Sequence, residues 1–335
     1  MVRLAKNHNS LLDLFRFTSA FLVVISHYFL ISFDLQNAGI IGYVGVEFFF
    51  VLSGFVLAPQ LNLVFNDRKL STTSTFLIRR WIRTIPPYLL ALVLMQNLKS
   101  WDSGESFLRY ATYTQNILFD NSTPVIFAAA WSLSVEEWSY VLIPLLYLSF
   151  KSVMKKENKI YVLLNCLIAI LFLKLLFLCG VQFSNAELFD LRRSVLFRID
   201  AILIGICFSY SIFEDKYNKT YLILISMILA FNTAVLIMVE QYTNMTVLIL
   251  SPLMALVIIY ISVTFNFANK PLIKLFSVGA KLSYPMYLYH LFVLSVLPDQ
   301  YNNFSIYMLV IVLISASSYY GFERYLLMMR PKYNS

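Results

Sequence analysis

Ten apolar stretches dominate the chain and leave few folds open to it. They run over about residues 11–33, 41–64, 85–100, 131–150, 160–180, 195–213, 220–239, 247–266, 282–297 and 304–328. A helix of ~20 residues rises ~30 Å, the thickness of a bilayer's hydrocarbon core. Only a helix or a closed barrel satisfies its own backbone there. A barrel strand would read as ~10 residues of alternating polarity, not as an unbroken apolar run. Composition points the same way: 59% of the 335 residues are hydrophobic and 13% charged, whereas an ordinary soluble domain carries about 25% charged residues. Such a chain lacks the polar skin that a soluble core demands. The expectation is an all-α, polytopic integral membrane protein with about ten transmembrane helices, forming a single transmembrane domain over residues 1–335. The first run contains Arg16 and His27 and has no small-residue cleavage site, so it reads as a retained helix rather than a leader.

Lysine and arginine set the orientation. With the N-terminus inside, the connections on that side hold eighteen basic residues, among them Arg79, Arg80, Arg83 and Lys151. The connections on the other side hold four: Lys99, Arg109, Arg192 and Arg193. Both termini are therefore expected in the cytoplasm. The net charge of +8 becomes a topological signal, with membrane lipids rather than nucleic acid as the partner. Cys166, Cys179 and Cys207 lie in or beside apolar runs and form no C-x-x-C pair. The three histidines are scattered, and no metal centre is expected.

Ionisable residues inside spans are costly and mark function or a buried pair. Asp13 and Arg16 share a face near the start of the first run. His27 follows Arg16 by eleven residues, three helical turns and roughly 16 Å further along the same face. Glu47 enters the second run beside Gly42, Gly45, Ser53 and Gly54. Trp131, Ser132, Ser134, Glu136 and Glu137 open the fourth. Arg198 and Asp200 stand two apart, so each needs a partner elsewhere. His290 follows Tyr284, Tyr287 and Tyr289. Topology gathers His27, Glu47, Glu136, Arg198, Asp200 and His290 in the outer half. At the inner end Arg80 and Arg83 stand three apart beside Arg79 and Trp81, and guanidinium forks suit phosphates. Each feature also has a plainer reading: an interfacial ion pair at Asp13 and Arg16, a packed histidine at position 27, a helix cap at Ser132 or Ser134, and a basic anchor at Arg79–Arg83.

In order along the chain, these motifs resemble the acyltransferase-3 family, polytopic membrane O-acyltransferases that modify bacterial surface glycans. The resemblance rests on Asp13-Leu14-Phe15-Arg16 with His27, on Gly42 to Phe55, on Arg79 to Pro86, and on Trp131 to Glu137. Arg198-Ile199-Asp200-Ala201, Ser283 to His290 and Tyr320-Gly321-Phe322-Glu323 complete it. Glu47 stands where the family usually has aspartate. The chain is expected to act without an appended SGNH-type hydrolase domain.

The resemblance implies transfer of an acetyl group from cytoplasmic acetyl-CoA to a glycan hydroxyl at the outer side of the bacterial inner membrane. The acceptor is expected to be O-antigen, as in lipopolysaccharide, or another surface polysaccharide, lipid-linked or not. The CoA phosphates fall to Arg79, Arg80 and Arg83, with Arg16 further in. His27 becomes the general base, because a sugar hydroxyl needs a base that titrates near neutrality. Glu136, or Glu47, is expected to orient the imidazole. Arg198, Ser134 or a tyrosine such as Tyr287 is expected to stabilise the oxyanion. Ser53, Trp131, Asp200 and His290 are supporting residues. The rival reading is a proton-coupled transporter or flippase, which also needs intramembrane His, Glu, Asp and Arg. It lacks the paired interrupted segments that mark many carriers.

Overall fold

Helix ends in this chain are written in asparagine. Asn9 caps α1 (Ser10–Phe33), its side-chain oxygen accepting the backbone N–H groups of Leu11 at 3.0 Å and Leu12 at 3.1 Å. Asn269 and Asn303 cap two later helices in the same manner, each satisfying donors that the first turn leaves unpaired. In the computed structural model, the structure describes residues 9–35, 37–67, 69–98, 104–117, 127–154, 158–180, 193–213, 243–265, 269–298 and 303–333, with the single positions 224, 228 and 267.

After α1 come α2 (Ala38–Asp67), α3 (Leu70–Leu98), the short α4 (Gly104–Ala111), α5 (Ala130–Met154), α6 (Lys159–Gly180) and α7 (Val195–Phe213). Then follow α8 (Thr243–Thr264), α9 (Lys270–Val296) and α10 (Phe304–Ser318). A π-helical turn, Tyr319–Glu323, leads into α11 (Arg324–Met328). Among the described residues there is no strand. Among the described residues, five helical stretches are long and apolar enough to cross a membrane: Ser10–Phe33, Ala38–Asp67, Lys159–Phe177, Val195–Phe213 and Phe304–Met328.

The apolar runs and the helices differ in two informative places. The third run was expected over 85–100 and the ninth over 282–297, yet α3 begins at Leu70 and α9 at Lys270. In both cases basic residues extend the helix beyond its apolar stretch: Arg79, Arg80 and Arg83 in α3, Lys270, Lys274 and Lys281 in α9. The arginine cluster is thus part of a continuous helix rather than of a connection. The seventh run, 220–239, lies outside the described residues apart from Leu224 and Ile228.

Helix α2 is the central column. It packs against α1, α3, α5, α7 and α8, while α1 lies between α2 and α9. A close crossing joins α2 to α7. A Cβ atom on Gly54 would collide with the Ile202 carbonyl oxygen, and one on Gly205 with the Val51 carbonyl oxygen. The two backbones therefore touch, which only glycine permits at both positions. The segment after α3 folds back over the start of α5. Tyr88 donates to the Tyr110 carbonyl at 2.9 Å, Trp138 Nε1 to the Tyr113 carbonyl at 2.9 Å, and Asn116 Nδ2 to the carbonyls of Trp131 at 2.9 Å and Arg193 at 2.5 Å.

Candidate active site

Five helices line a cavity whose empty space, the solvent at its mouth included, is about 800 Å³. Its ingredients follow from helical spacing. On α5, Ser132, Glu136 and Tyr140 recur every four residues and form one stripe; on α9, Ser283 and Tyr287 do the same; on α2, Val46, Phe49, Phe50, Ser53, Val56 and Leu57 supply a mostly apolar wall. Arg16 comes from α1, and Arg80, Arg83 and Thr84 come from α3.

The cavity's lining is chemically uneven. It holds three guanidiniums, Arg16, Arg80 and Arg83, close enough to act on one another electrostatically. Arg80 is buried. Glu136 lies along the wall, within electrostatic reach of Arg16 and Arg80. Its Oε1 accepts from Ser53 Oγ at 2.7 Å and from the Tyr140 hydroxyl at 2.7 Å. A hydroxyl pair marks another part of the lining: Ser132 Oγ and Tyr287 Oη sit 2.5 Å apart, and both reach the Ala129 carbonyl, at 3.3 and 3.0 Å. With one fixed acceptor and two O–H donors, one hydroxyl hydrogen can be redirected towards a bound group.

Next to Tyr287 stands a pair of imidazoles. The rings of Tyr287 and His290 are 5.7 Å apart, and those of His290 and His27 are 4.9 Å apart. His27 Nδ1 lies 2.9 Å from the Val23 carbonyl, and His290 Nδ1 lies 2.7 Å from the Tyr287 carbonyl. A carbonyl only accepts, so each Nδ1 carries the proton and each Nε2 keeps a lone pair in the neutral ring. His27 is half-buried and does not itself line the cavity.

Several expected partnerships are replaced by others. Glu136 does not hold the His27 imidazole. It bonds to Ser53 and Tyr140, because α5 packs on α2, α6 and α7, whereas α1 packs on α2 and α9. The ring beside His27 accordingly comes from α9. Glu47 and Arg198 form a buried ion pair with each other, with the Arg198 guanidinium 5.8 Å from the Phe50 ring centre. Neither lines the cavity. Asp200 pairs with Lys174 on α6 at 2.6 Å, away from the cavity lining. Ser134 faces the other side of α5, accepting from Gln115 Nε2 at 2.5 Å and donating to the Ala130 carbonyl at 3.2 Å. Trp131 stacks on Tyr43 at 5.8 Å and meets Phe50 edge-on at 5.9 Å, so it supports the wall without lining it.

Arg16, Arg80, Arg83, Ser53, Glu136 and Tyr287 do converge on the cavity. Sequence reasoning missed Ser132 as a lining hydroxyl, together with Tyr140 and Thr84, whereas Tyr284 is, like Tyr287, one of the α9 tyrosines it put forward. The four-residue stripe through Glu136 was the available signal for the first two. Among the described residues, no group of three or more His, Cys, Asp or Glu is placed to hold a metal ion.

Comparison with known proteins gives this arrangement its family. The profile of the acyltransferase-3 acyltransferase domain matches residues 9–321. Three Staphylococcus aureus proteins, from strains COL, MSSA476 and MRSA252, are each 24% identical over 134 residues, or 36% of this chain, and each is named a "Putative O-acetyltransferase". The aligned stretch spans 22% of the length of those relatives. No solved structure matches the chain. With the family domain covering nearly the whole chain and apolar helices long enough to cross a bilayer, this protein belongs to the acyltransferase-3 family of membrane acyltransferases.

Proposed function

We propose that the protein moves an acetyl group from acetyl-CoA to a glycan hydroxyl across the bacterial inner membrane. One observation carries this reading: a single cavity has three guanidiniums among its walls and a hydroxyl pair, Ser132 and Tyr287, whose tyrosine adjoins His290 and through it His27. The guanidinium end takes the donor's phosphates from the cytoplasmic side. The apolar wall of α2 accommodates the pantetheine arm. The thioester then lies by Ser132 and Tyr287, and the acceptor approaches His27 from the outer side.

In this scheme the acceptor oxygen attacks the thioester carbonyl carbon while His27 Nε2 takes the hydroxyl proton. The oxyanion of the tetrahedral intermediate accepts from the redirected O–H of Ser132 or Tyr287. Collapse breaks the C–S bond, and the imidazolium returns its proton to the departing CoA sulfur. His290 stands where a carboxylate was expected, as the ring nearest to the base. Glu136 serves the donor path, balancing Arg16 and Arg80 within the membrane.

Donor affinity tests the assignment. Arg80→Gln and Arg83→Gln each remove charge-assisted bonds worth ~1.5–3 kcal/mol. Each is expected to raise the Kd for acetyl-CoA by roughly 10–100-fold, measured by titration of the purified protein. Arg83, which is only half-buried, separates this effect from misfolding. An unchanged acetyl-CoA titration for a folded Arg83→Gln protein contradicts the docking of phosphates here.

A further inference from the structure

The chain segment after the last helix folds back onto the arginine cluster. Arg79 Nη1 donates to the Pro331 carbonyl at 2.5 Å, and the Arg79 guanidinium lies over the Tyr333 ring, 5.0 Å from its centre. These two contacts deliver Arg330 to a position where Arg79, Arg80 and Arg83 all act on it electrostatically. Its Nε and Nη2 are buried and have no hydrogen-bond partner among the described residues. Among the described residues no carboxylate pairs with it there. Burial and the three neighbouring guanidiniums push its pKa down to about 10. A half-buried cation held among cations, with buried donor nitrogens unused, is costly unless an anion joins it.

Arg80 and Arg83 line the cavity, whereas Arg79 and Arg330 do not. They stand beside the lining guanidiniums but outside the wall. A CoA thioester carries its phosphates in a fixed order from the reactive end: first the diphosphate, then the monoester on the ribose. With the thioester at Ser132 and Tyr287, the diphosphate comes to the lining arginines. The outermost phosphate then lies beyond the wall.

We infer that Arg330, held in place by the Pro331 and Tyr333 contacts to Arg79, binds the ribose 3′-phosphate of the donor and makes the enzyme select CoA thioesters over their 3′-dephospho counterparts. This rests on the donor reading proposed above and adds a specificity residue to it.

The test compares two donors on the purified full-length protein in lipid nanodiscs. Dissociation constants are measured for acetyl-CoA and acetyl-3′-dephospho-CoA with wild type, Arg330→Gln and Arg330→Lys. Wild type is expected to prefer acetyl-CoA by on the order of tenfold, the worth of one charge-assisted contact. Arg330→Gln is expected to bind both donors alike, at the wild-type affinity for the dephospho compound, and Arg330→Lys to recover part of the preference. A purely structural residue would weaken both donors by the same factor and leave the preference intact, which overturns the inference. Equal binding of the two donors by wild type overturns it as well, while leaving the donor reading standing. Failure of wild type to bind either donor overturns both.

Discussion

A protein with alanine at position 27 is expected to fold, to bind acetyl-CoA, and to lose acyl transfer by roughly 10²–10⁴-fold, the usual worth of a positioned general base. The expectation follows from the imidazole's setting. Val23's carbonyl holds Nδ1 at 2.9 Å, which commits the neutral ring to the tautomer with a basic Nε2. The ring then stands beside His290 and the Tyr287 end of the site. Initial rates at saturating donor, measured alongside donor affinity, check the prediction. Loss of rate with intact affinity is the expected pattern, because a base acts on the acceptor hydroxyl and not on the donor's phosphates. A well-folded His27→Ala protein that acylates its acceptor at the normal rate removes the imidazole from the mechanism.

The second large effect concerns stability. Glu47 is fully buried and its partner Arg198 nearly so. Glu47→Ala leaves a buried guanidinium without its counter-charge, at a cost of about 3–5 kcal/mol. Replacing both partners with apolar residues of similar size, Glu47→Leu with Arg198→Met, removes both desolvation penalties and is expected to be far milder, about neutral or better. The crossing of α2 and α7 at Gly54 and Gly205 already brings these helices together, so the double variant keeps its frame. Thermal unfolding of the detergent-solubilised proteins measures this. Single and double variants that lose the same stability contradict a pair whose role is mutual neutralisation. Retained acyl transfer by the double variant marks the pair as structural, as its absence from the cavity wall indicates.

Much of the fold was legible because a lipid environment leaves a coarse record. The runs at 11–33, 41–64, 195–213 and 304–328 correspond closely to helical stretches. Helices α3, α5 and α9 are harder to read from apolarity alone. They carry Arg80, Glu136 and Tyr287 with their polar neighbours, so three of the five helices that line the cavity are less apolar than α1 and α2, which complete it. Family motifs located the relevant segments, and the eleven-residue spacing of Arg16 and His27 put both on one face of α1. What sequence spacing could not settle was pairing between helices. Five candidates, Glu47, Glu136, Arg198, Asp200 and His290, belonged to the same expected depth, and depth alone does not choose partners. Packing does: α1 lies against α9, which brings His290 to His27, and α7 lies between α2 and α6, which sends Arg198 to Glu47 and Asp200 to Lys174. Arg330 was legible only as one more basic residue near the end of the sequence, since its significance depends on a fold-back held by Arg79.

On the route proposed above, an acyl group travels from a CoA thioester through this protein to a hydroxyl acceptor. Reconstituted proteoliposomes test it most directly, with acetyl-CoA labelled in the acetyl group on the arginine-cluster side and a bacterial surface-glycan fraction on the other. Label is expected in the glycan as a base-labile ester, formed by wild type and absent with His27→Ala. Glycan that crosses the membrane unlabelled, or acetyl-CoA that is never consumed by active wild-type protein, contradicts it.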